Sequence, residues 1–273
     1  MLGRGATSVV YLAEKTGSGK RYAVKVSICD REKLRREAFL LQKFSYPGIP
    51  CAVELLESGT KSFLVMEAVN GKSIGQRMRK GERFSSREIL KTGIALSGIL
   101  CYLHAQNPPV FYRDLKPDNI YLYPDQNALR ACLADFNVSR AVQIQKGMRG
   151  LTQISYSGTA AYASPYLKTH NVADLPREIA LRLDTYSLGV ICYTILNNQK
   201  ISVDLNGRLK EPQYSPSREL SKLVLEMMEP DPHRALSMEE VVRTLYKILL
   251  SAPRPAKPHP AAVPAGYDFR DRR

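Results

Sequence analysis

The sequence predicts an α+β chain in two unequal parts, a small antiparallel β-rich lobe followed by a larger, mainly helical one. Three observations predict it. Short β-prone runs fill most of the stretch up to Met66, helical periodicity dominates from Ser86 to Leu250, and an Asn70-Gly71 turn signal separates the two. The expected division is a domain over residues 1–250, with lobes at 1–66 and 71–250 and a connector at 67–70.

The elements follow in order. Ser8–Leu12 and Tyr22–Ser27 are rich in β-branched and aromatic residues, and the Gly/Ser-rich Thr16–Lys20 between them predicts a hairpin. From Asp30 to Phe44 the period changes: Leu34, Ala38, Leu41 and Phe44 fall on one stripe, which predicts a helix. Pro47, Gly48 and Pro50 end it, and Val53–Glu57 and Ser62–Ala68 read as another strand pair. Ser86–His104 is a long helix by the spacing of Ile89, Gly93, Leu96, Leu100 and Leu103. Val110–Leu122 and Leu129–Asp135 read as short strands and loops, and helices are expected at Leu183–Asn197, Ser217–Met228 and Ser237–Leu250. The remaining 251–273 is a basic tail with five prolines and several alanines, which predicts a disordered linker.

Composition removes several function classes. A hydrophobic content of 44% and a charged content of 24% are those of a globular protein. The net charge of +14 is dispersed, apart from Arg31–Arg36 and the tail, and no nucleic-acid motif accompanies it, so no nucleic-acid partner is expected. No apolar run approaches the roughly 20 residues that cross a bilayer, and the start has no signal-peptide pattern, so a cytoplasmic protein without a membrane span is expected. Five cysteines without a CxxC pair predict reduced core thiols.

The residues with chemistry are spread along the chain. Gly3-Arg4-Gly5-Ala6-Thr7-Ser8 suits a backbone that approaches phosphate oxygens, although alone it reads equally as a turn. It lies between strands, which argues against a dinucleotide fold. Gly17-Ser18-Gly19-Lys20 lacks the following Ser/Thr of a phosphate loop and reads as a turn. Lys25 sits in an apolar strand, where a buried ammonium needs a carboxylate or an anion, and Glu37 on the next helix is the natural partner. Tyr112-Arg113-Asp114-Leu115-Lys116-Pro117-Asp118-Asn119 packs a base, a cation and an amide at fixed offsets in one loop. Asp135, after the apolar Cys132-Leu133-Ala134, offers the oxygen that a hard cation takes.

Together these motifs resemble the catalytic domain of eukaryotic-type protein serine/threonine kinases, bacterial ones above all, over nearly all of residues 3–250. The resemblance implies a two-lobed kinase fold that binds ATP with magnesium, manganese being an alternative. It implies nucleotide binding by Gly3, Gly5, Ser8, Val10, Ala23 and Lys25, and by Glu67 and Val69 in a hinge behind Met66. It also implies Asp114 as catalytic base beside Lys116, Lys25 held by Glu37, and Asn119 and Asp135 as metal ligands. Lys116 and Thr159 are similar to the serine/threonine branch, so the expected partners are proteins with Ser or Thr hydroxyls, in signalling, with autophosphorylation in a transient homodimer allowed. The alternative is a pseudokinase, a nucleotide-binding scaffold with idle chemistry. A small-molecule kinase would lack Gly158–Pro165, which resembles the end of an activation segment.

The chain departs from that pattern at four places: Ser8 for the third glycine, Tyr112 for His, Asn137 for Gly, and Tyr166 for Glu in Ser164-Pro165-Tyr166. The last removes the expected partner of Arg234, which should stack on Tyr166, pair with an acid such as Glu178, or lie in water. Thr152, Ser155 and Ser157 are candidate phosphosites facing Arg113 and Arg140. With two residues before Gly3, the opening strand is expected to be short.

Overall fold

The N-terminal lobe is a five-stranded antiparallel sheet of order β1-β2-β3-β5-β4. Its strands are β1 (Gly3–Arg4), β2 (Ser8–Glu14), β3 (Arg21–Ser27), β4 (Ala52–Ser58) and β5 (Lys61–Glu67). The computed structural model describes residues 1–4, 8–27, 30–69, 71–125, 128–136, 140–141, 160–168, 170, 175–197, 210 and 217–251. Gly5, Cys29, Asn137, Thr152, Ser155, Ser157, Gly158, Thr159, the Arg140 side chain and the tail at 252–273 lie outside the described residues.

Register places the sheet's functional positions. Directly opposed residues of antiparallel strands share a face, and the pairs Gly3↔Val10, Val10↔Lys25 and Lys25↔Leu64 make one row across four strands. Ala23↔Met66 and Ser8↔Ser27 lie on the same face, two residues to either side of Lys25. Helix α1 (Arg31–Lys43) packs against the sheet. Asp30 caps it by accepting the Lys33 N–H at 3.0 Å, with Glu32 in its first turn and Lys43 in its last. Its buried stripe of Leu34, Ala38 and Leu41 also carries the buried Glu37.

The C-terminal lobe is built on helices α3 (Ser86–His104), α4 (Arg177–Asn197), α5 (Arg218–Met227) and α6 (Met238–Ser251). Two elements precede α3: β6 (Lys72–Ser73) and the six-residue α2 (Ile74–Arg79), which periodicity did not reveal. A capping box starts α2, with Gln76 N–H donating to Ser73 Oγ at 3.1 Å and Ser73 N–H to Gln76 Oε1 at 3.0 Å. Strands β7 (Val110–Phe111), β8 (Ile120–Asp125) and β9 (Ala128–Leu133) frame the loop at 112–119, and β10 (Arg140–Ala141) pairs with β7.

Helix α4 begins at Arg177, six residues before the apolar run at Leu183. With 21 residues and a mean hydropathy of 1.3 over its most apolar stretch, it is long and apolar enough to cross a bilayer by length and composition alone. That stretch is 78% buried inside the protein, and a helix buried all round is apolar all round. It is the core helix of the lobe. The cysteines need a correction. Cys132 and Cys192 are core thiols, pushed by burial to a pKa of about 12, but Cys101 is only partly buried and Cys51 is exposed.

Candidate active site

The site is assembled around Lys25. Its Nζ donates to Glu37 Oε2 at 2.6 Å and to Asp135 Oδ1 at 2.8 Å, so one ammonium joins the sheet, α1 and the segment after β9. Lys25 is 3% exposed, and burial pulls its pKa down. The Glu37 and Asp135 carboxylates overcome that pull and leave the pKa above the ordinary lysine value. Glu37 is held in turn by the Phe136 N–H, which donates to its Oε1 at 3.0 Å.

The Phe136 ring is buried and meets Tyr112 edge-on at 5.1 Å and Phe44 at 5.8 Å. The Tyr112 hydroxyl donates to the carbonyl of Ala134. Tyr112, where the family has His, thus ties the 112–119 loop to the backbone that enters Asp135. Asp135 has φ +64°, in the left-handed region that non-glycine residues rarely occupy. Arg113, at φ +71°, is the other such non-glycine residue among those described.

The loop itself is anchored from α4. The buried Asp184 carboxylate accepts the N–H groups of Tyr112 and Arg113, at 3.0 and 3.2 Å, and lies 2.9 Å from His104 Nε2. Within the loop, Lys116 Nζ donates to Asp114 Oδ2 at 2.6 Å, and Asn119 Nδ2 donates to the same oxygen at 3.0 Å and to the Asp114 carbonyl at 3.1 Å. Burial raises the Asp114 carboxyl above the ordinary aspartate range, Lys116 pulls against it, and the nearby Asp135 charge adds to the rise. The Ala134 N–H donates to the Asn119 carbonyl at 2.9 Å, which sets Asn119 beside the residue before Asp135.

Two sets of sequence-predicted residues are therefore brought together: Lys25, Glu37 and Asp135, and Asp114, Lys116 and Asn119. They are stitched by the β8–β9 hairpin, in which Ile120 faces Leu133. Ser8, Val10 and Ala23 share the sheet face of Lys25, and Gly3 is exposed at the edge of the same row. Glu67 behaves differently from a simple ligand side chain. Its carboxylate accepts the Cys51 N–H at 3.2 Å and its own N–H donates to the Cys51 carbonyl at 3.0 Å, while Val69, beyond β5, is half-buried.

A hard divalent cation suits the donors present. The Asn119 amide nitrogen is committed to Asp114, which turns the amide to offer its oxygen, and Asp135 supplies a carboxylate that is a third exposed. Among the described residues no cluster of three or more His, Cys, Asp or Glu could hold a metal alone. Two protein donors need phosphate oxygens and water to complete the sphere. Sequence reasoning missed His104. A histidine in the last turn of a helix reads as a dipole partner, and nothing local links it to Asp184, 80 residues on.

A two-lobed fold with a buried Lys–Glu pair and an Asp–Lys–Asn loop fits the class that the sequence motifs resemble. The family model of the protein kinase domain matches residues 1–247, and the chain belongs to that family. It is 32% identical over 201 residues to myosin light chain kinase A of Dictyostelium discoideum, covering 71% of this chain and 64% of the relative. It is 28% identical over 265 residues to CBL-interacting serine/threonine-protein kinase 19 of Arabidopsis thaliana, covering 90% and 52%. Serine/threonine-protein kinase pkn2 of Myxococcus xanthus is 29% identical over 254 residues, covering 90% and 29%. The chain spans less than two thirds of the length of each of these relatives. Identities this similar in an amoeba, a plant and a bacterium do not single out a bacterial lineage.

Proposed function

We propose that the chain is an active protein serine/threonine kinase, moving the γ-phosphoryl of ATP to Ser or Thr hydroxyls of protein substrates in signalling. The observation that carries this reading is the joint placement of Lys25, held by Glu37 and Asp135, and of Asp114, bridged by Lys116 and Asn119. Each group has a task that its surroundings allow. Lys25 holds the α/β-phosphates, with its charge maintained by two carboxylates. Asp114 orients the substrate hydroxyl and accepts its proton. Lys116, already 2.6 Å from that carboxylate, offsets negative charge that develops beside it. Asn119 and Asp135 would hold magnesium, or manganese in its place, which when bound with ATP neutralises phosphate charge.

Most of the acceleration then comes from positioning and electrostatics, because phosphoryl transfer asks little covalent chemistry of the protein. Serine/threonine specificity is supported by Lys116 beside the base and by the serine/threonine kinases among the relatives. An idle scaffold gains no support from a site in which the lysine, the base and both metal ligands are present. The test is transfer from labelled ATP to a generic basic protein. Wild type transfers phosphate, and Asp114→Asn lowers the rate by about a hundred-fold or more. A variant as fast as wild type ends the assignment.

A further inference from the structure

Ser164-Pro165-Tyr166 is the departure that the catalytic reading leaves unexplained. Of the three arrangements expected for Arg234, the structure has the one in water: Arg234 is exposed. Different chemistry secures the stretch. Ser164 is 2% exposed, and its Oγ accepts the Tyr166 N–H at 3.3 Å while donating to the Pro230 carbonyl at 3.5 Å. The Tyr166 ring lies flat on the imidazole of His170, with centroids 3.9 Å and planes 11° apart. The same ring meets His233 edge-on at 6.3 Å. The His170 N–H closes the turn onto the Tyr166 carbonyl at 3.1 Å. From α4, Arg182 donates to the carbonyls of Pro232 and His233, at 3.4 and 3.1 Å, and so fixes the loop that Tyr166 touches.

The stretch also reaches the active site. The short 3-10 turn Ala160–Tyr162 packs on α4, the helix whose Asp184 holds the backbone N–H groups of Tyr112 and Arg113 in the 112–119 loop. Whatever holds Tyr166 in place therefore steadies a segment that shares α4 with the loop carrying Asp114.

We propose that Tyr166 is a positioning residue: its ring, stacked on His170 and edge-on to His233 of the α5–α6 loop, anchors the substrate-facing segment 160–168 to that loop in place of an ion pair. The part that concerns substrate rests on the protein-kinase reading; the anchoring itself does not. The physical difference is clear. An exposed ion pair weakens as salt screens it, whereas ring stacking does not.

The test uses the full chain in five forms: wild type, Tyr166→Phe, Tyr166→Ala, His170→Ala and Arg234→Ala. Hydrogen–deuterium exchange at 160–170 is followed in low and high salt, alongside steady-state kinetics on one synthetic Ser/Thr peptide that the wild type phosphorylates. Tyr166→Ala should speed exchange in 160–170 and raise the peptide KM, each by about three- to ten-fold, with the ATP KM unchanged. Arg234→Ala should match wild type, Tyr166→Phe, which keeps the ring, and His170→Ala should fall between wild type and Tyr166→Ala, and salt should not loosen the wild-type segment. The proposal is overturned if Tyr166→Ala leaves exchange at 160–170 as in wild type, if Tyr166→Phe is as damaging as Ala, or if Arg234→Ala reproduces the Ala effect. Should Tyr166→Ala fail to fold, His170→Ala and Tyr166→Phe decide on the same criteria. A wild type that transfers no phosphate to any peptide defeats the kinase reading, and the exchange data still decide the anchor.

Discussion

Lys25 is almost wholly buried and still charged because two carboxylates meet one ammonium. Lys25→Met leaves Glu37 and Asp135 facing each other without a cation. Removal of one member of a buried pair costs about 3 kcal/mol or more, roughly 6–12 °C in Tm for a domain of this size. The variant should fold, melt lower and lose nearly all turnover, and adding Glu37→Gln should recover part of the Tm. Equal melting of single and double variants would break the pairing argument. At Asp114 the balance is between burial, which raises the carboxyl, and Lys116, which lowers it. Lys116→Ala removes the lowering influence, so the carboxyl rises further and protonates at higher pH. A base must be ionised to act, so the acid limb of kcat/KM should move to higher pH, while kcat falls about a hundred-fold. A limb that stays put, or moves to lower pH, contradicts the assignment. The residue types and spacings of both groups were legible in the sequence. Their protonation balance was not, because burial is a tertiary quantity.

Among elements, the helix crossing of α4 over the end of α5 depends on one missing side chain. A Cβ at Gly189 would stand 2.8 Å from the Met227 Cβ and 2.9 Å from the Met228 Cγ. Gly189→Ala should therefore cost about 1–3 kcal/mol by overpacking, read as a lower Tm with the nucleotide-site residues untouched; an unchanged Tm would mean that the helices part freely. Gly48 serves another purpose. It has φ +95°, and its carbonyl accepts the Leu133 N–H at 2.9 Å, so a turn after α1 is fastened to β9 just before Asp135. Sequence periodicity located α1 and α3 because each has one buried face. It placed the start of α4 late because a helix buried on all sides has no stripe to read, and its first turns mix Arg177, Glu178 and Arg182 with Ile179, Ala180 and Leu181. Helix α2 is too short for periodicity, and only Ser73 and Gln76, three residues apart, could have announced it.

For the whole molecule, the two lobes meet through contacts of long sequence separation, Lys25 to Asp135 and Phe136 to Glu37. Nucleotide with metal should bridge the same groups and favour the folded state. At a hundred times Kd, binding adds about 2.7 kcal/mol, several degrees in Tm. ATP with magnesium should give that shift, chelation of the metal should remove most of it, and Asp135→Asn should abolish the dependence on metal. A shift indifferent to metal in the wild type would remove Asp135 and Asn119 from the role of ligands. The sequence by itself determined the two-lobed α+β plan and the order of the chemical groups, because hydrophobic period and residue type are local properties of the chain. Only the tertiary structure decided that Glu67 turns its carboxylate to Cys51, that His104 supports Asp184, and that Tyr166 rests on imidazoles while Arg234 stands in water. Partners are chosen by distance in space, and distance in space depends on how all the elements pack at once.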